Sequence, residues 1–141
     1  MDILKVIKMD FYYACEGGSV EIVKSMIEKG AKDWNGGLNY ACYGKRVEIV
    51  NLMISLGAYN LNTGLYHACM GGSTEIVKFM IELGANNLNC GLYQACLGGH
   101  SEIIELMVEA GAISKYDYIH SEYIQRNKIY IKSMINKQNN K

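Results

Sequence analysis

GGSTEIVKFMIELGANNLNCG, residues 71–91, decides the fold because the chain repeats it. Twenty-seven residues upstream stands GKRVEIVNLMISLGAYNLNTG, and twenty-seven before that GGSVEIVKSMIEKGAKDWNGG. Twenty-seven residues downstream comes GGHSEIIELMVEAGAISKYDY. Blocks 11–37, 38–64, 65–91 and 92–118 align without gaps, and eight columns are identical in all four. These columns are headed by Ala14, Cys15, Gly17, Glu21, Ile22, Met26, Gly30 and Ala31. A fixed period of this size is the signature of a stacked architecture, in which each unit is one supersecondary element.

Each block reads as two helices. FYYAC forms a short first helix, with Asp10 as its expected N-cap and Gly37, Gly64 and Gly91 in the same capping place downstream. The pair Gly17-Gly18 is expected to reverse the chain, since glycine enters positive φ without penalty. VEIVKSMIEK follows as the second helix, with an apolar stripe of Ile22, Val23, Met26 and Ile27 opposite Glu21, Lys24 and Glu28. Gly30 stands where a glycine C-cap belongs. Trp34, Leu61 and Leu88 form the one apolar column of the loop and are expected beneath the helices. One such hairpin cannot bury its own stripe, whereas a stack can, so the fold class is an all-α helical-hairpin solenoid with shortened loops between repeats. The whole chain, 1–141, reads as a single repeat domain: an N-terminal cap over 1–10, four repeats, and a degenerate capping repeat over 119–141. Ile3, Leu4 and Ile7 are expected to cover the first unit.

Composition narrows the function. Net charge is zero, with five basic and no acidic residues between Arg126 and Lys141, and nine basic against fourteen acidic residues elsewhere. No apolar run approaches the roughly 20 residues of a membrane helix, so membrane insertion is not expected. Five cysteines and no recognisable export signal fit free thiols in a reducing compartment, hence a cytoplasmic protein. Cys15, Cys42, Cys69 and Cys96 cannot converge on zinc, because stacked helices lie about 8–10 Å apart, so they read as small buried fillers. Cys90 falls in a loop and is expected to be exposed. His67, His100 and His120 occupy three different repeat positions and lack a zinc-binding spacing; His100 matches a structural turn position. The column of Met26, Met53, Met80, Met107 and Met134 belongs to the apolar stripe and is expected in the core. The glycine pairs lack the lysine and hydroxyl of a phosphate loop, and no nucleophile–base pair recurs. Neither a catalytic residue nor a cofactor or metal site is expected.

The run A-C-x-G-G-x-x-E-I-V-x-x-M-I-x-x-G-A resembles the ankyrin repeat. The pattern falls on Ala68, Cys69, Gly72, Ile76, Val77, Met80, Ile81, Gly84 and Ala85. Two departures stand out: Gly64-Leu65-Tyr66 replaces the family's P-L-H, and the period of 27 leaves no room for the full hairpin finger. Such shortened repeats are similar to those abundant in large DNA viruses of amoebae. The resemblance implies a non-catalytic scaffold that binds a protein, a host protein in the viral case, acting as a monomer in the host cytoplasm.

A scaffold of this type holds its stack with invariant columns and leaves the variable ones for recognition. Two columns of the short helix vary sharply: Tyr13, Tyr40, His67, Gln94, and Glu16, Tyr43, Met70, Leu97. Three apart, they share a helical face, expected on the concave side of the stack. These eight residues are the candidate partner-binding strip; the alternative is that they pack against loops of neighbouring repeats. The basic segment 126–141 offers a second function, contact with nucleic acid or an anionic membrane, against its role as a solubilising cap. Lys45 replaces glycine at the hairpin turn and is strained if its φ is positive there.

Overall fold

The computed structural model describes residues 2–112 together with 133, 136, 137 and 140. Residues 119–141, expected as a capping repeat, and the basic segment 126–141 lie outside the described residues apart from those last four positions. Among the described residues all regular structure is helical: α1 (Ile3–Gly17), α2 (Val20–Glu28), α3 (Trp34–Tyr43), α4 (Val47–Ser55), α5 (Leu61–Gly71), α6 (Thr74–Glu82), α7 (Leu88–Gly98) and α8 (Ser101–Glu109). The odd-numbered helices pack on one another in chain order and form an inner layer. Each even-numbered helix folds back on its predecessor, and together they form a looser outer layer. This is the helical-hairpin solenoid that the period implies.

Helix starts differ from the sequence reading. Asp10 lies inside α1, whose N-cap is Asp2, the acceptor for the Leu4 amide. The inner helices of the later repeats begin at Trp34, Leu61 and Leu88, behind Asp33, Asn60 and Asn87. Gly37, Gly64 and Gly91 therefore sit a turn inside and are not caps. Their role is close packing. A Cβ on Gly37 would stand 2.7 Å from Met53 Sδ, and one on Gly64 3.0 Å from Met80 Sδ. The outer-layer methionine thus occupies the space that each glycine vacates. With that extra turn, the inner helices run 10–15 residues, longer than the nine-residue outer helices.

The two glycines of each turn also divide their work. Gly44 and Gly71 let neighbouring inner helices touch backbone to backbone: a Cβ there would run into the carbonyls of Glu16 and Tyr43. Positive φ falls on the following residue, Gly72 (83°) and Gly99 (68°), and in the second repeat on Lys45 (60°). The first repeat reverses without it, since Gly18 is extended at φ −85°. Outer helices start at Ser19 and Ser73, whose hydroxyls accept from the Ile22 and Ile76 amides at 3.2 and 3.3 Å. Arg46 and His100 occupy the same column but reach back a repeat, donating to the carbonyls of Gly18 and Met70.

Every outer helix ends in the same Schellman motif. Gly30, Gly57, Gly84 and Gly111 take positive φ, and the next amide donates to the methionine carbonyl five residues back, Ala31 to Met26 and Ala85 to Met80 at 3.0 and 2.9 Å. The alanine is buried under the turn in all four repeats. The loops then lock in series. Asn35 Oδ1 accepts from the Tyr59 and Asn60 amides at 2.8 and 3.0 Å, and Asn62 Oδ1 does the same for Asn86 and Asn87 at 2.8 and 2.9 Å. This asparagine ladder joins successive short loops to one another.

The core is a single run of Leu, Ile, Val, Met, Ala and Cys between the layers. Met53, Met80 and Met107 are fully buried, as the stripe requires, while Met26 is half-buried. Ile22 is 53 % exposed, although Ile49, Ile76 and Ile103 are about 1 % exposed. The preceding hairpin covers each of the later isoleucines, and Ile22 has none before it. Ile3 and Leu4 are also exposed and do not cover the first unit. Trp34 meets Phe11 edge to face at 6.3 Å and ties α3 to α1.

Candidate functional site: the open side of the inner helices

Inner helices lie closer together than outer ones, because Ala, Cys and Gly stand at their tightest contacts. The row therefore bends toward the inner helices, whose open side is concave. Ala14, Ala41, Ala68 and Ala95, with the adjacent cysteines, face the core. Positions one residue before Ala and one after Cys in each repeat flank that buried pair.

The column after cysteine reaches solvent. Tyr43 is 42 % and Leu97 38 % exposed, and Glu16 and Met70 are half-buried. The column before alanine closes along the chain. Tyr13 is 58 % exposed, Tyr40 and His67 are half-buried, and Gln94 is 7 % exposed. Gln94 therefore presents almost no surface to a partner, a correction to its place in the strip. Tyr40 is covered from the first repeat: its ring stacks on Tyr12 at 4.8 Å and meets Tyr13 edge to face at 6.4 Å. His67 Nδ1 donates to the Thr63 carbonyl one turn back at 2.8 Å, and its ring leans on Tyr66. The surface offered is thus Tyr13, Tyr40 and Tyr43 over the first two repeats, followed by His67, Met70 and Leu97.

Tyr12, which belongs to neither column of the strip, anchors one end of that surface. The Tyr12 hydroxyl donates to Asp33, which also accepts the Gly36 amide at 3.0 Å as the N-cap of α3. Lys8 pairs with the same carboxylate at 3.5 Å and lies 5.8 Å from the centre of the Tyr12 ring. Burial pushes the Asp33 carboxyl upward, but the Tyr12 and Gly36 hydrogen bonds and the Lys8 charge outweigh it and leave the pKa lowered. Only a faint signal pointed to this cluster: Asp33 is the one charged residue in a column that continues with Asn60, Asn87 and Ser114.

The thiols give no sign of chemistry. Burial pushes Cys15, Cys42 and Cys69 up to about 12 and Cys96 to about 11, so all four stay protonated near neutrality. Cys90 is exposed. Among the described residues no group of three His, Cys, Asp or Glu side chains is placed to hold a metal ion. Nor is any helix there long and apolar enough to cross a membrane.

Stacked hairpins with invariant small residues inside and variable side chains along one open face define a repeat scaffold of the protein-binding kind. The family model for ankyrin repeats, in three copies, matches residues 38–117. The chain belongs to the ankyrin-repeat family, whose repeats are generally protein–protein interaction modules and typically non-catalytic. No curated protein matches it.

Proposed function

We propose that this chain is a non-catalytic scaffold that binds a protein along the open side of its inner helices. The observation behind this reading is that Tyr13, Tyr43 and Leu97, at recurring positions of the inner helices, are 58, 42 and 38 % exposed, with Tyr40, His67 and Met70 half-buried at the same positions. Large apolar side chains left in water along one surface mark interaction sites. Tyrosine adds wide contact area with a polar tip, as at interface hot spots. The similarity of the short repeats to those of large DNA viruses makes a host protein the favoured partner, met in the host cytoplasm by a monomer.

The test is capture from host lysate followed by titration of the purified partner. Tyr43→Ala/Leu97→Ala should weaken binding by about thirtyfold or more, since a hot-spot side chain contributes about 2 kcal/mol or more. Its melting temperature should stay close to that of the parent, because both residues are substantially exposed. A partner held equally well by the variant removes this face from the proposal. Binding that instead falls steeply with salt assigns recognition to the basic segment 126–141 and its nucleic-acid or membrane chemistry.

A further inference from the structure

The outer layer carries a feature that packing alone does not require. A groove of about 380 Å³ runs between α4 and α6, lined by Val47, Val50, Asn51, Glu75, Ile76, Lys78, Phe79 and Glu82. Val50 and Ile76 form its buried floor, and Val47 and Phe79 its half-buried walls. Glu75 and Glu82 are exposed on its rim, seven residues apart along α6. At 1.5 Å per residue their backbones are about 10 Å apart, along the same side of the helix.

The surroundings share that charge. Helices α4, α6 and α8 carry six glutamates, Glu48, Glu75, Glu82, Glu102, Glu105 and Glu109, against the single cation Lys78. All but Glu105 are exposed. A glutamate in the first turn of a helix is accounted for by the helix dipole. Glu82 and Glu109 stand at the opposite ends of their helices, where that dipole disfavours them, and Glu105 lies mid-helix. Lys78, between Glu75 and Glu82 in sequence, offsets one charge at the groove and leaves the wider face acidic.

We propose that this groove is a second docking surface, separate from the inner-helix face, and that it takes a basic amphipathic helix of a protein partner. An apolar floor with carboxylates at two ends of one wall selects a helix with an apolar stripe flanked by lysine or arginine seven residues apart. Helix-in-groove recognition of this kind relies on apolar anchors for affinity and on flanking charge for orientation. The occupant lies along α4 and α6, whose nine residues each match about two and a half turns.

The test uses the full chain and synthetic peptides, read by calorimetric titration. The probe is an amphipathic helix of about 14 residues with lysines seven apart around a leucine stripe. Its controls are a shuffled peptide of identical composition and a version with glutamate for lysine. The probe should bind at least about tenfold more tightly than either control, the margin expected when apolar fit and charge act together. Glu75→Lys/Glu82→Lys should abolish that preference. Asn51→Trp should block the groove without altering any charge, at an exposed position that tolerates it. Tyr43→Ala/Leu97→Ala should leave probe binding unchanged, which keeps the two surfaces distinguishable. Equal binding of probe and shuffled peptide, undiminished binding to either groove variant, or no binding at all overturns the proposal.

Discussion

The inner and outer layers of this solenoid are built from the same repeat, yet they fail in opposite ways. Between inner helices the closest contacts are made by Ala, Cys and Gly, and backbones touch at Gly44 and Gly71. Between the layers the space is filled by Met, Ile and Val, which insert flexible or branched side chains into the vacancies beside Gly37 and Gly64. Enlarging a residue should damage the first region, and shrinking one the second. The close inner contact bends the row and gives the concave face its shape.

The largest expected effect lies in the outer layer. Met80→Ala empties a fully buried site and should cost about 2–5 kcal/mol in denaturant unfolding, whereas Met26→Ala, half-buried at the stack end, should cost much less. A comparable loss at both positions would mean that the first hairpin is better covered than its exposure indicates. The inner layer answers with Gly71→Ala, which drives a Cβ into the Tyr43 carbonyl and should cost about 1–3 kcal/mol. Gly17→Ala, in the same column, meets nothing within 4 Å and should gain up to about 1 kcal/mol through helix propensity. Opposite signs at two equivalent glycines would be hard to obtain from any fold but a stack. Smaller again, Lys45→Gly should stabilise by about 1 kcal/mol, since Lys45 holds φ at 60° where the equivalent residues Gly72 and Gly99 do so freely.

The smallest effects concern the thiols. Each buried cysteine has a folded pKa raised above the unfolded value near 8.5, so its contribution to stability is present below that pH. Stability should then decline as pH climbs from about 8.5 toward the folded values of about 11 for Cys96 and about 12 for Cys15, Cys42 and Cys69. Cys42→Ala/Cys69→Ala should flatten that decline in melts recorded across the alkaline range. At neutral pH a thiol reagent should label Cys90 first, with the other four following only on unfolding.

Much of the architecture was legible because periodicity separates constraint from freedom. Glycine with positive φ after each outer helix, the methionine core and the cysteine row each follow from one invariant column. What misled was a column whose chemistry admits two explanations. Gly37, Gly64 and Gly91 look like caps in sequence, and only the position of the facing methionine sulfur reveals them as packing vacancies. Gln94 looks as variable and polar as a recognition residue should, but it is buried where Tyr13 at the same repeat position is exposed, and repeat position alone does not distinguish the two. The asparagine ladder through Asn35 and Asn62 was missed although Asn35, Asn62 and Asn89 recur at the repeat period, because the column does not say which amides the side chain serves. Exposure of Ile22 is an end effect, invisible to any argument that treats repeats as equivalent.

Trp34, the single tryptophan, meets Phe11 at the α1–α3 junction. Its fluorescence therefore samples that junction, while far-ultraviolet circular dichroism averages over every helix. In an array that loosens unit by unit, the two melting curves need not superimpose. A tryptophan transition that comes early relative to the dichroic one would record fraying from the amino-terminal end, the same end at which Ile22 is left uncovered.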